Sequence, residues 1–229
     1  MPKGITREKV VEAALALLDD EGIDGVTVRA LAQRLDVRAP ALYWHLRNKQ
    51  ELLDEMSTTV LRRIADVLPA PGSSWREDLA AYARVLRAEY LRHRDGARVF
   101  SGARVSDPEV VVRIKEPLYR SWTEAGLTLV QADDALDVVV AFVVGFVIEE
   151  QERLQSADTD PTRYSLAERD AGLGEHAPLT KVAGHLRDDS DQRFERHLGI
   201  VLDGLATRHD RADPPGTTAP THPNGRDMR

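Results

Sequence analysis

Residues 27–49 read TVRALAQRLDVRAPALYWHLRNK, and the order of residue types in this stretch decides the architecture. Thr27 has a side-chain oxygen suited to an N-cap. Val28, Leu31, Ala32 and Leu35 then fall at i, i+3, i+4 and i+7, which gives one apolar face turned inward. Asp36 and Val37 break that pattern. Pro40 suits the first turn of a new helix, where a missing N–H costs nothing, so the spacing predicts a short second helix over about 39–46. Leu42 and Trp44 are expected to pack inside. A helix, a tight turn and a second short helix is a helix-turn-helix layout. Between Gly25 and Gln50, Arg29, Arg34, Arg38, Arg47 and Lys49 stand against one anion, Asp36, whereas the whole chain carries a net charge of −7. A basic head on an acidic body can meet phosphates locally without adhering to every polyanion.

The 229 residues, 42% hydrophobic and 30% charged, suffice for a sizeable core in one large or two smaller domains. With no cysteine, disulfides, thiolate catalysis and cysteine-based zinc sites are excluded. Met1-Pro2-Lys3-Gly4 leads into an amphipathic helix rather than a signal-type apolar stretch, so a cytoplasmic location is expected. The most apolar run, VVVAFVVGFVI at 138–148, has 11 residues between Asp137 and Glu149; a membrane span needs about 20. A helix apolar on all sides must be covered on all sides, and a second subunit is one source of cover.

Helical periods extend almost throughout, and an all-α fold is expected. Thr6 caps a first helix to about Glu21, with Val10, Ala14, Leu17 and Leu18 on one face and Gly22 at its end. The reading head covers residues 1–48 and a connecting helix 49–68. The Pro- and Ser-rich junction 69–74 precedes a larger helical body over 75–208. Helices are expected near 75–92, 97–102, 107–125, 131–155, 178–186 and 190–207. Residues 156–177 read as a long surface loop and residues 209–229, rich in Pro, as a disordered tail. The last helix carries Phe194, Leu198, Val201, Leu202 and Leu205 in a stripe, with Gly199 and Gly204 permitting close approach; the stripe suits either the chain's own core or, paired with the 138–148 helix, a four-helix interface between two subunits.

The run Ala39-Pro40-Ala41-Leu42-Tyr43-Trp44-His45-Leu46, followed by Arg47-Asn48-Lys49-Gln50-Glu51-Leu52-Leu53, resembles the recognition helix and next helix start of the TetR family of transcriptional repressors. Ser74-Trp75, His93-Arg94-Asp95-Gly96-Ala97, Gly102 and Val147-Ile148-Glu149-Glu150-Gln151-Glu152 extend the likeness into the body, to the family's tetracycline-binding branch, over nearly all of residues 5–207. The resemblance implies a homodimer that places two recognition helices in successive major grooves, roughly 34–36 Å apart, on an operator of approximate two-fold symmetry. Tyr43 and Lys49 would anchor the DNA backbone. Val28, Arg29, Arg38, Ala39, Pro40 and Ala41 would face base edges or their approach. His45 is either a phosphate contact or a helix terminator.

The resemblance further implies dimerisation through the 138–148 helix and the last helix, with Val139, Val143, Phe146, Phe194, Leu198, Val201, Leu202 and Leu205 in the seam. It also implies a cleft in each body for a small-molecule effector, near Ala65, Tyr82, Leu86, Phe100, Ala103, Arg104, Leu118, Trp122, Val138, Ala141, Phe142 and Glu149. Where tetracycline-binding members place a histidine on the magnesium, this chain has Phe100. Their drug-contacting asparagine and first pocket histidine correspond to Tyr82 and Ala65, and their threonine near the metal to Ala103; Arg104 and Glu149 are retained. Without the imidazole a nitrogen donor for the cation is gone, so the effector expected is apolar or aromatic rather than a magnesium chelate, with Arg104 available to a carboxylate or phenolate.

His93-Arg94-Asp95 spells a kinase triplet without the other kinase motifs. It reads better as a helix end with Gly96 as left-handed terminator, and as a joint between the DNA-side helices and the cleft. Glu149, Glu150 and Glu152 splay around a helix and cannot converge on a metal, and the histidines lack ligand spacing. No metal and no cofactor are expected. An activator, a ligand-binding module without operator contact, and a small helical enzyme are the alternatives.

Overall fold

The computed structural model describes residues 5–186 and 189–212, and its regular elements are all α-helical among these residues. The head comprises α1 (Arg7–Gly25), α2 (Val28–Arg34) and α3 (Ala39–Leu42), followed by α4 (Lys49–Val67). The body comprises α5 (Trp75–Leu91), α6 (Gly96–Ser101), α7 (Pro108–Glu124), α8 (Leu129–Thr159), α9 (Leu166–Leu173), α10 (Pro178–His185) and α11 (Ser190–Ala212).

Caps fix most of the starts. The side chains of Thr6, Thr27, Asn48 and Ser74 accept hydrogen bonds from the N–H groups of Lys9, Ala30, Glu51 and Glu77, each satisfying a donor that the first turn leaves open. Thr128 and Gln131 close a full capping box on α8. One apolar core runs through head and body. Leu18, Leu31, Met56, Ile64, Leu79, Leu118, Trp122, Leu136 and Phe194 are all fully buried in it. The body wraps α4, α6, α7 and α11 around the packed pair α5 and α8.

Four boundaries differ from the sequence expectation. Gly22 does not end α1: at φ 74°, ψ −176° it kinks the helix, which resumes to Gly25. The second head helix is a single turn, with Tyr43–His45 in a tighter turn closed by His45 N–H to Leu42 O at 2.9 Å. Within 156–177 the chain forms α9 behind a Ser165 cap. Finally, α11 runs on to Ala212; the remainder of the expected tail, 213–229, lies outside the described residues.

Candidate functional site

The head's cations lie at exposed positions. Thr27 starts α2, and Asp36, in the left-handed region at φ 53°, reverses the chain so that α3 crosses α2. Arg29, Arg38, Pro40, Arg47 and Lys49 are exposed, while Val28, Ala39, Ala41 and His45 are half-buried. Val28 and Ala39 pack on the head's core. Tyr43 is 56% exposed and Trp44 89%. The expectation that Trp44 packs inside is therefore wrong: α3 ends at Leu42, and the following turn rotates Trp44 outward while Leu42 and Leu46 take the core positions. Arg34 is not offered to a partner either, because its Nη1 pairs with Asp20 at 2.7 Å. Among the described residues Arg29, Arg38 and Arg47 make no ion pair, so the head carries three exposed guanidiniums without a salt-bridge partner, and two exposed aromatic rings. Lys49 Nζ donates to Ile23 O at 3.3 Å, tying the start of α4 to the end of α1.

The head is locked to α4 and then to the body. Arg7 Nη2 reaches Glu51 at 2.8 Å and Glu55 at 3.0 Å, and Glu51 also accepts the Arg47 N–H at 2.7 Å. The Arg47 N–H and then Arg7 hold the Glu51 carboxyl below the usual carboxylate range. From the body, buried His93 meets Asp19 of α1 through Nδ1 at 2.9 Å and Arg63 of α4 through Nε2 at 3.1 Å. Asp95 Oδ2 accepts the Ile23 N–H freed by the Gly22 kink, at 3.1 Å, and its Oδ1 accepts Gln155 Nε2 of α8 at 3.3 Å. Buried Gln151 donates to Tyr90 O and His93 O at 2.9 and 2.7 Å. These groups join α1, α4, α6 and α8 into one polar joint. Its left-handed residue is Asp95, φ 58°, not Gly96. Gly96 is needed for clearance, since a Cβ there would lie 2.3 Å from Tyr90 O.

Of the expected cleft residues, the structure gathers Tyr82, Leu86, Phe100, Leu118 and Trp122 in the body core, each at most 6% exposed, with Ala65 half-buried. Phe100 lies 5.8 Å from the Tyr90 ring and edge-on to His93 at 5.6 Å, which connects this cluster to the joint. Trp122 Nε1 donates to Asp78 Oδ2 at 3.0 Å. Burial raises the Tyr82 phenol above its ordinary value and pushes Tyr90 up to about 12, so both hydroxyls stay protonated. With so little accessible surface these side chains pack as part of the body's core.

The other expected cleft residues lie elsewhere. Val138, 45% exposed, and Ala141 face outward from α8. Phe142 turns toward α11 and stacks on Phe194 at 5.5 Å. Arg104 projects into solvent while its N–H is held by Asp54, and Ala103 is half-buried beside it. Glu149 is paired with Arg153 at 3.0 Å and Arg193 at 3.3 Å.

The expected seam changes in phase. Val139 and Val143 are 0% exposed, and Phe146, Phe194, Leu198 and Leu202 at most 6%, all inside a single chain. They belong to the protomer's core and leave no surface for a partner; Val201 and Leu205 are half-buried. The outward face instead carries Val138, Ala141 and Gly145 on α8, and Ile200, 69% exposed, with Gly204 on α11. A Cβ added at Gly145, Gly199 or Gly204 would meet nothing within 4 Å.

Sequence comparison matches residues 10–56 to the family model for bacterial regulatory proteins of the tetR family, and residues 68–209 to the tetracyclin repressor-like C-terminal domain. The tetracycline repressor protein class A from transposon 1721 of Escherichia coli is 38% identical over 202 residues, covering 87% of this chain and 89% of that protein. A possible TetR family transcriptional regulator from Streptomyces coelicolor A3(2) superimposes with a TM-score of 0.76 at 38% identity, over 88% of this chain and 99% of that one. ActR of Streptomyces coelicolor in complex with (S)-DNPA gives a TM-score of 0.73 at 30% identity, over 90% and 99% of the two chains. BioQ bound to its double-stranded DNA operator gives 0.61 at 30% identity, over 89% and 99%. A helix-turn-helix head with exposed guanidiniums, jointed to a body with a closed aromatic core and matched over both parts, is thereby placed: the chain belongs to the TetR family of transcriptional regulators.

Proposed function

We propose that this chain is a cytoplasmic, dimeric, ligand-responsive repressor without catalytic activity, which leaves a two-fold-related operator when an aromatic, largely apolar effector enters the body. The observation that carries the reading is the exposure, in and next to the helix-turn-helix, of Arg29, Arg38 and Arg47, which make no ion pair among the described residues, together with Pro40, Tyr43 and Trp44. Guanidiniums without an internal partner retain their full attraction for phosphate or for the bidentate edge of guanine.

Trp44 joins Tyr43 and Lys49 in contacting the DNA backbone, and Arg29, Arg38, Ala39, Pro40 and Ala41 remain the groups that meet bases. The dimer closes through Val138, Ala141, Gly145 and Ile200, with Val201 and Leu205 at the rim. Glycines on both helices let the partner's backbone approach closely. The effector separates Tyr82, Leu86, Phe100, Leu118 and Trp122, with the Tyr82 and Tyr90 hydroxyls as hydrogen-bond donors to its oxygens. Phe100 offers no lone pair to a metal, and no cluster of three or more ligating side chains stands among the described residues. Because Phe100 touches His93, displacing it works the joint that holds α1 and α4. By linkage, DNA must weaken the effector by the factor by which the effector weakens DNA.

The test is a gel-shift series on symmetric duplexes from the chain's own upstream region. Tyr43→Ala and Lys49→Ala are expected to weaken all sequences alike, and Arg38→Ala to lose discrimination at one base step, each by about 1–3 kcal/mol. Unchanged binding in all three variants would overturn the assignment.

A further inference from the structure

At the end of the body away from the head, Trp75 at the start of α5, Leu127 before α8, and Leu205, Arg208 and His209 on α11 enclose a cavity of about 160 Å³, with Asp134 of α8 on its wall. No residue of α1–α4 lines it.

Three features of this cavity ask for a guest. The His209 Nε2 atom is buried and has no hydrogen-bond partner among the described residues, a condition that native proteins relieve with water or a ligand. Arg208 and Asp134 are exposed at the rim, and neither makes an ion pair among the described residues. That is unusual on a surface where most arginines of the body, such as Arg84, Arg87, Arg113 and Arg153, are paired. The interior, by contrast, is largely aromatic and aliphatic: the Trp75 ring stands 6.3 Å from the imidazole of His209, and Leu127 and Leu205 also line the wall.

We infer that this cavity is a second ligand site, separate from the effector cleft, and that it takes a small aromatic zwitterion, a molecule with one ring, one carboxylate and one ammonium group. The ring lies between Trp75 and the leucines. Arg208 meets the carboxylate through its planar fork, and Asp134 meets the ammonium. His209 Nε2 bonds the same polar end. Size argues against the multi-ring guests of larger clefts, since drug-sized pockets measure about 300–1,000 Å³. The paired opposite charges argue against simple acids, amines and hydrocarbons. An occupant fastens α11 to the starts of α5 and α8, at the foot of the outward face assigned to the dimer seam.

The test uses the full chain and three probes in isothermal titration: L-phenylalanine, phenylacetate, which lacks the ammonium, and phenethylamine, which lacks the carboxylate. Saturable binding of one phenylalanine per protomer is expected, with each singly charged analogue weaker by at least about tenfold. Arg208→Ala should erase the preference over phenethylamine, and Asp134→Asn the preference over phenylacetate. Both residues are exposed, so neither change threatens the fold, and operator binding should be unaltered in both. Absence of saturable heat with phenylalanine, equal affinity for the three probes, or affinities untouched by both substitutions would each refute the site.

Discussion

Replacing Asp95 by alanine should damage both stability and communication between body and head, and the structure sets the size of the effect. Its carboxylate accepts two hydrogen bonds, from the Ile23 N–H of α1 and from Gln155 of α8. A hydrogen bond to a charged group contributes about 1.5–3 kcal/mol when buried; both are part-buried, which places each near or below the low end. Asp95 also sits at φ 58°, where aspartate and asparagine are tolerated better than alanine. Together these give a loss of about 2–3 kcal/mol for Asp95→Ala and about 1 kcal/mol for Asp95→Asn, which keeps one acceptor oxygen and the backbone tolerance. Urea unfolding at fixed protomer concentration measures the loss, the fixed concentration being needed because a dimer's stability depends on it. The same variants, titrated on operator with and without effector, measure coupling. Alanine should shrink the ratio of the two affinities, because the tie from α1 through Asp95 to α8 is lost and only the His93–Asp19 contact and its neighbours remain. If Asp95→Ala were as stable as the parent and kept its full ratio, the joint would have no such role.

Other substitutions separate the remaining parts. Ala141→Asp on the outward face of α8 should give a monomer by light scattering with little change in helicity, whereas Val139→Ala should leave the dimer intact and cost about 2 kcal/mol through a core cavity. Trp122→Phe strands the buried Asp78 oxygen that accepts its Nε1–H, and thermal or urea unfolding should register about 1–3 kcal/mol. Glu51 has a depressed carboxyl value in the fold, so its contribution is complete above the unfolded value of about 4.3 and fades as pH falls through the lower folded value. The difference in urea midpoint between the parent and Glu51→Gln should be present at pH 7 and shrink as pH falls below the ordinary carboxylate range.

The parts of this fold that were legible in the sequence are those with a local physical signature. Thr6 and Thr27 lie one residue before their helices because a side-chain oxygen there satisfies a first-turn N–H. Ser165 and Glu168 carry the same sign for α9, but with no buried residue in that helix there was no apolar period to confirm it. The phase of the seam is hidden for a different reason. Eleven consecutive apolar residues from 138 to 148 show no polar side from which to read which face turns inward, so only packing against α5 and α11 reveals that Val139 and Val143 are interior. Hydrophobicity alone puts Trp44 inside; the early end of α3 turns it out. The joint was half legible. Glycine at 96 suggested the left-handed residue, yet Asp95 takes that conformation while Gly96 provides clearance. The bonds from His93 to Asp19 and Arg63 link residues too distant in sequence for any spacing rule to find.

The most direct measurement is a fluorescence-anisotropy titration of the full chain on a labelled duplex from its own upstream DNA, beside a scrambled duplex of equal length and composition. Two protomers should bind the symmetric site saturably, at least about 10³-fold tighter than the scrambled one at physiological salt, and an effector that raises the melting temperature should release them. Equal affinity for both duplexes, insensitive to such a compound, would contradict the assignment of this chain as a ligand-responsive operator-binding repressor.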